Sequence, residues 1–391
     1  MESSLLIPHY PPLPFPAPLW LLLTLLILGL FLHMLPMNMM VGSTFLSAFF
    51  LSKGMGDKKS FSYRIGKGLA KGLPIFVSFA VTQGIVPLLF LQLIYGPMYY
   101  TSSTIIAVPW ISVLALLLGA YALSYVVVYK CLEAKNPHAA SAAPGILVVG
   151  GLMMLVVGLI FVNNMTLMLH PEKWLAMYQH SCTGLNMNMS DEQVPSRYCH
   201  FLLSALAVGG LTMGAYGLYF NKREHLFGQW LIKTGARIYG LFTFLNIGAG
   251  LWFLTALPSN HKSQFVGHDK FATAVFALSM ALTAVSWLTA VLAAKSGSPK
   301  AFRTSLVSGC LVILAMIVNR HQLRTAFLSG VLNPNLVPVQ TQWDLLIVFI
   351  VSAVALVIYM IWITKLVFKA LSERAVPLSE SDTAQHTEFA T

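Results

Sequence analysis

The chain has 391 residues, of which 57% are hydrophobic and only 9% are charged, whereas an average soluble domain has about 25% charged residues. This composition, with a mean hydropathy of +0.73, excludes an ordinary soluble globular protein, which needs a surface of mixed charges. The formal charge of +11 does not indicate nucleic-acid binding, because the basic residues lie between apolar runs and not on a water-facing domain.

Apolar runs predict nine transmembrane helices, since about 20 residues are needed to cross roughly 30 Å of hydrocarbon. In chain order the runs occupy 18–51, 74–98, 105–129, 145–169, 199–220, 238–257, 271–294, 304–319 and 343–368. We therefore predict an all-α polytopic membrane protein made of two four-helix units and a ninth helix. The run 304–319 is short, and we expect it to extend into its flanks.

The remaining segments are predicted to lie outside the bilayer. Residues 1–17 are proline-rich and lack a basic region and a cleavage site, so we do not interpret them as a removable signal peptide. The polar tail 375–391 is expected to be a disordered cytoplasmic segment. The predicted organisation is an external segment 1–17, a first unit 18–169, an external loop 170–198, a second unit 199–319, an external loop 320–342 and a ninth helix 343–374.

The distribution of Lys and Arg predicts the orientation, because positive loops stay on the cytoplasmic side. Of the 24 basic residues, 18 fall in one set of alternate loops, at 53–71, 130–135, 222–237, 295–303 and 365–374. The other 6 fall on the opposite side: Lys173, Arg197, Lys262, Lys270, Arg320 and Arg324. The N-terminus is therefore predicted outside and the C-terminus inside, and the positive charge is interpreted as topogenic and as contacting anionic lipid.

The four cysteines do not form a CxxCH or CxxC motif, which excludes covalent c-type haem and gives no sign of zinc or an iron–sulfur cluster. Cys182 and Cys199 are both predicted on the external side. They either remain thiols or form a disulfide that closes a loop of about 17 residues.

Histidines are the polar residues that indicate a site within the membrane. All 13 carboxylates fall in loops, at helix ends or in the termini, so a carboxylate path for protons through the bilayer is missing. In contrast, four histidines are predicted near the outer face: His33, His200, His268 and His321. Ionisable groups at membrane depth are costly and are functional candidates by default.

Small residues follow the first two of these histidines. Ser204, Ala207, Gly209 or Gly210, Gly214 and Gly217 recur at steps of three to four after His200. Such a stripe of small residues leaves room for either a flat macrocycle or the close approach of another helix. Pro36, Asn38, Gly42 and Ser43 follow His33 in the same way. Asn38 could bond a carbonyl freed by Pro36 or the edge of a cofactor.

Several stretches resemble subunit I of cytochrome bd-type quinol oxidases. They are FLHMLPMNMMVGSTFLSAFF at 31–50, RIGKGLAKGLPIFVSFAVTQGIVPLLFLQLIYG at 64–96, GLIFVNNMTLMLHPEKW at 158–174, VPSRYCHFLLSALAVGGLTMGAYGLYFNKREH at 194–225 and, more loosely, NRHQLRTAFLSG at 319–330. The resemblance covers nearly the whole chain, and the family has the same nine helices and external N-terminus.

The resemblance implies haem. His33 matches the axial ligand of the family's high-spin haem pair, and His200 matches the ligand of its low-spin b haem. The position that aligns with the family's second ligand of the low-spin haem lies nearest Phe276. Met280, one turn on, gives a His/Met haem, and His268 gives a bis-His haem of lower potential. Both remain open. Two or three b haems are expected, one of which could be of another type.

The chain also departs from the family. Leu88 or Leu89 replaces the glutamate of the second helix, and Val318 or Asn319 replaces the glutamate before the eighth-helix motif. The family's long quinol-binding loop is reduced to about 258–270. His321 is placed to act as a ligand instead. Arg320 and Arg324 are placed to pair with haem propionates in a bidentate manner.

The predicted function is that of a b-haem subunit that transfers electrons between membrane quinol and an acceptor at the outer face, in a bacterial or archaeal cytoplasmic membrane. One alternative is a divergent quinol oxidase that reduces oxygen at the His33 haem. Another is a haem-free transporter or assembly scaffold. The expected partners are lipid, quinol, and a second copy, another membrane subunit or a periplasmic multihaem c-type cytochrome, with no nucleic acid.

Overall fold

The computed structural model describes residues 13–133 and 137–373. Within these residues the chain forms eleven α-helices, and a π-helical segment, Val126–Leu132, continues the third. The helices are α1 (Leu19–Gly54), α2 (Phe61–Ile105), α3 (Ala107–Tyr125), α4 (Pro137–Leu167), α5 (Trp174–His180), α6 (Gln193–Phe220), α7 (His225–Thr255), α8 (Ser259–Lys262), α9 (Lys270–Ser296), α10 (Pro299–Leu328) and α11 (Trp343–Glu373).

Eight helices of the described chain are long and apolar enough to cross a membrane, and they are α1, α2, α3 with its π-helical extension, α4, α6, α7, α9 and α10. The ninth predicted crossing corresponds to α11, in which Trp343–Ala355 is an apolar stretch. The predicted class, an all-α polytopic membrane protein, is confirmed.

The helices are longer than the apolar runs that predicted them. Arg64, Lys67 and Lys71 lie on helical turns, so α2 begins at Phe61 and not near residue 74. The short run 304–319 does extend into its flanks, as expected, and becomes α10. Within the stretch 320–342, predicted as an external loop, the chain stays helical to Leu328. Burial explains this, since Leu323 and Arg324 on the added turns are only 5% and 7% exposed.

Residues 20–337 form one compact unit that contains all eight of these helices. The predicted division into two four-helix units stays a prediction. A second unit comprises residues 13–19 and the chain from residue 338. In it the Phe15 N–H donates to the Pro338 carbonyl at 2.8 Å, and the Gln340 N–H donates to the Phe15 carbonyl at 2.9 Å. Most of the predicted segment 1–17 and the tail 375–391 lie outside the described residues.

The helices α1 and α6 cross at a pair of glycines. A methyl group added at Gly42 would lie 2.8 Å from the Gly209 Cα, and one added at Gly209 would lie 2.9 Å from the Gly42 Cα. Both distances are shorter than side chains allow, so only glycine permits this approach. Small residues serve this purpose in membranes, where helices associate by close packing and not by the hydrophobic effect.

Hydroxyl groups join α9 to α10. The Ser286 hydroxyl donates to the Ser305 carbonyl at 2.8 Å, and the Ser305 hydroxyl donates to the Ser286 carbonyl at 2.9 Å. Nearer the outer end, the Asn319 side-chain amide donates to the Ser279 hydroxyl at 2.8 Å. These bonds hold α10 in the bundle and fix the turn that follows Asn319, which carries three of the predicted site residues.

Candidate functional site

His33 lies on α1 against a backbone carbonyl of α2. Its Nδ1 is 2.9 Å from the Ala80 carbonyl oxygen, which can only accept a hydrogen bond. Nδ1 must therefore carry the proton, and Nε2 carries the lone pair. A methyl group at Gly84, one turn further along α2, would lie 2.9 Å from the imidazole ring. The glycine thus allows the ring to lie on α2.

His200 lies on α6 in a matching arrangement against α7. Its Nδ1 is 3.3 Å from the Asn246 carbonyl oxygen, and a methyl group at Gly250 would lie 3.3 Å from the ring. The Asn246 side-chain amide donates to the Ser204 hydroxyl, one turn after His200 on α6, at 2.8 Å. The second histidine is therefore held by a hydrogen-bonded network between the two helices.

The two histidines follow the same plan along the chain. Each contacts a carbonyl of the next long helix and a glycine four residues beyond that carbonyl. Nine residues after His33 and His200 come Gly42 and Gly209, which form the crossing of α1 and α6. The helix pairs α1–α2 and α6–α7 therefore correspond to each other, and the histidines occupy equivalent positions.

The structure places three predicted residues of α10 beside α1. Arg320, His321 and Arg324 line a narrow cleft with Leu26, Ile27 and Leu30 of α1. The Nδ1 atom of His321 is buried and has no hydrogen-bond partner. Arg320 is within electrostatic reach of His33. The structure therefore brings His33, His321 and Arg320 to one end of the bundle.

Three arginines come together at this end: Arg197, Arg320 and Arg324 lie within electrostatic reach of one another. Among the described residues no carboxylate forms an ion pair with any of them. Arg324 is 7% exposed, and its guanidinium lies 5.2 Å from the centre of the Tyr95 ring. Tyr95 departs from helical geometry within α2, two residues before Pro97.

Asn38 is 1% exposed, and its side-chain oxygen has no hydrogen-bond partner. It lies on α1 between His33 and the crossing at Gly42. The two predicted roles of Asn38, a bond to a carbonyl freed by Pro36 or to the edge of a cofactor, stay predictions.

The two candidates for the second ligand of the predicted low-spin haem lie on outer surfaces. Met280 is 41% exposed on α9, whereas its neighbour Ser279 faces inward and bonds to Asn319. His268 is exposed in the loop before α9. Exposure does not distinguish the two residues, so the choice between them stays open.

Charged groups organise the loop before α6. The Lys173 ammonium donates to an Asp191 carboxylate oxygen at 2.7 Å, and the Gln193 N–H donates to the other at 2.9 Å. Burial by itself raises the pKa of Asp191, but these hydrogen bonds and the nearby His170 outweigh it, so the pKa lies below its ordinary value. The pKa of His261 is also lowered, by burial and by the charge of His170.

The cysteines Cys131, Cys182, Cys199 and Cys310 are free in the structure, and Cys182 is exposed. Among the described residues no group of three or more His, Cys, Asp or Glu side chains could hold a metal ion by itself.

The sequence reasoning missed the groups that hold the imidazoles. Backbone carbonyls of Ala80 and Asn246 leave no signature in side-chain patterns, and Arg197 was assigned only to topology. One signal was available, namely the equal spacing of nine residues from each histidine to a glycine.

Comparison with known proteins identifies a similar fold among solved structures. No protein-family model matches the chain, and no curated protein matches it. Seven chains of solved structures match. One is a chain of the bd oxidase from Geobacillus thermodenitrificans, with a TM-score of 0.70 and 11% sequence identity over 92% of this chain and 100% of that chain. The protein therefore has a cytochrome bd-like fold.

Proposed function

We propose that the protein is a b-haem membrane cytochrome that carries electrons between membrane quinol and an acceptor at the outer face. The observation that carries the proposal is the pair of equivalent imidazoles, His33 and His200. Each has its Nδ1 proton directed at a backbone carbonyl, which is the usual arrangement of a histidine that binds iron through Nε2. The similarity in fold to a bd oxidase chain supports the same assignment.

The residues present fit a haem. Two neutral imidazoles supply ligand atoms, and Arg320 and the buried Arg324 supply positive charge for propionates. The unpaired Nδ1 of His321 and side-chain oxygen of Asn38 are buried polar atoms that lack protein partners, which points to a group that would satisfy them. Haem, when bound, supplies reversible one-electron chemistry.

Main-chain and side-chain groups of the protein have three tasks in this proposal. The Ala80 and Asn246 carbonyls orient the imidazoles and fix their tautomers. Arg320 and Arg324 stabilise negative charge, with Tyr95 positioning the guanidinium of Arg324. The apolar residues Leu26, Ile27 and Leu30 exclude water from the His321 side of the cleft.

The proposed route ends at the outer face, where the four histidines are predicted. No carboxylate of the chain is predicted inside the membrane to deliver protons, so the function we favour is electron transfer and not oxygen reduction. The proposed donor is quinol. The proposed partners are a second copy, another membrane subunit or a periplasmic multihaem c-type cytochrome, and the proposed location is a bacterial or archaeal cytoplasmic membrane.

Pyridine haemochrome analysis of the purified full chain tests the proposal. We expect two or three b haems per chain, and we expect His33→Ala and His200→Ala each to lose about one. The low-spin spectrum should disappear in His200→Ala and persist in His33→Ala. His180→Ala, at an exposed position, is the matched control and should keep the full haem content.

Three results would contradict the proposal. A chain without haem would favour the scaffold or transporter interpretation. Unchanged low-spin intensity in His200→Ala would assign His200 a structural role. Oxygen uptake by the purified protein, or an absorbance band of a chlorin-type haem, would favour the divergent oxidase.

A further inference from the structure

A groove of about 460 Å³ runs along the outside of the bundle between α7 and α9. Apolar groups line most of it: Ala236, Gly240, Leu241, Phe244, Trp287, Val291 and Ala294. A methyl group at Gly240 would meet nothing within 4 Å, so this glycine forms the floor of the groove. The Trp287 indole N–H donates to the Gly240 carbonyl at 3.0 Å, which fixes the aromatic wall.

Two cations, Arg237 and Lys295, lie at one end of the same groove. Both are exposed, and among the described residues neither forms an ion pair. Lys295 is in the last turn of α9. Arg237 is on the turn of α7 after Lys233, and a methyl group added at Gly297, just beyond α9, would lie 2.9 Å from the Lys233 side chain. The cations therefore lie where the helices leave the bilayer, and the apolar part extends toward its middle.

The apolar groove and the two cations at its end together restrict the kind of ligand that can bind. An acyl chain needs an elongated apolar channel at membrane depth, and a phosphate needs positive charge at the membrane surface. We infer that the groove between α7 and α9 binds an anionic phospholipid, with the headgroup phosphate on Arg237 and Lys295 and one acyl chain along Gly240, Phe244 and Trp287. With the predicted orientation, this lipid belongs to the cytoplasmic leaflet.

Native mass spectrometry of the full chain, released from mixed micelles, measures the binding. The probes are phosphatidylglycerol and phosphatidylcholine with the same acyl chains. We expect one phosphatidylglycerol to be retained in preference to phosphatidylcholine. Removing both cations in the double variant Arg237→Gln/Lys295→Gln should weaken phosphatidylglycerol binding by roughly tenfold or more. Gly240→Leu fills the channel and should abolish retention of both lipids.

Matched variants control for charge and for side-chain size. Lys58→Gln/Lys130→Gln removes two exposed cations elsewhere, and Gly248→Leu adds the same bulk at an open position of α7. Both should bind lipid like the unaltered chain. Equal retention of the two lipids, equal loss in the control and test variants, or occupancy by a quinone mass or by a second copy of the chain would overturn the proposal.

Discussion

The His33 and His200 sites share one backbone plan but differ in what surrounds them. His200 is enclosed by a hydrogen-bonded network in which Asn246 contacts both the histidine and Ser204. His33 faces the arginine-rich end of α10, where His321 has an unpaired buried nitrogen. The comparison teaches that the repeated helix pair fixes the position of each imidazole. The polar groups around the imidazole differ between the two sites, because α10 contributes them only beside His33.

Gly42→Leu tests whether the two sites depend on their shared crossing, and it has the largest expected effect. The leucine cannot fit against the Gly209 backbone, so α1 and α6 must separate, at a cost of about 3 kcal/mol or more. We expect a strongly lowered thermal unfolding midpoint in detergent and loss of haem from both sites. Gly248→Leu, at an open position, should leave both unchanged. Loss at one site alone would show that the sites are independent.

Asp191→Asn separates the sites, because Asp191 lies at the start of α6 and has no counterpart before α1. Losing a charged, buried hydrogen-bond acceptor should cost about 2–3 kcal/mol at neutral pH and disturb the His200 spectrum first. The pKa of Asp191 is lowered in the folded protein, so its contribution is present above the ordinary carboxyl pKa and disappears as the pH falls through the lowered value.

Thermal unfolding followed from pH 7 to pH 3 measures this difference. The midpoints of the variant and the unaltered chain should converge only at the acid end. Glu172→Gln is the control, since that side chain is 62% exposed and should change the midpoint little. A gap between Asp191→Asn and the unaltered chain that stays constant with pH would mean that the carboxylate charge is not what stabilises this loop.

Gly84→Ala and Gly250→Ala compare the two imidazole contacts directly. The added methyl group would lie 2.9 Å from the His33 ring but 3.3 Å from the His200 ring, and the closer contact is the more disruptive. We expect Gly84→Ala to cost about 1–2 kcal/mol and Gly250→Ala about half of that. Haem content and unfolding midpoint, measured for both variants, check the order. The reverse order would mean that the His200 site is the tighter one.

The fold was largely predictable from the sequence, because a bilayer imposes one length and one composition on every crossing. Lys and Arg between the apolar runs predicted where the helices leave the membrane. The bounds were less predictable, since a polar turn such as that of Arg324 continues a helix when other helices bury it. Hydropathy cannot register that burial, and it placed the end of α10 too early.

For the candidate site, the sequence indicated the histidines and not their surroundings. His33 and His200 stand out because a titratable group inside the membrane is rare. Their partners are main-chain carbonyls, which every residue has. The residue types at Ala80 and Asn246 therefore give no indication of these contacts. Arg197 was assigned to topology because it lies in an external segment, and only tertiary structure shows its proximity to Arg320.

The contact of Gly42 with Gly209 joins the two helices that carry the proposed haem ligands, His33 and His200. At about 1.5 Å per residue, each histidine lies about 13 Å along its helix from that contact. The distance that an electron would tunnel between the two proposed sites then depends on the angle at which α1 and α6 cross. A small change in that angle, produced far from either iron, would alter the transfer rate without touching a ligand.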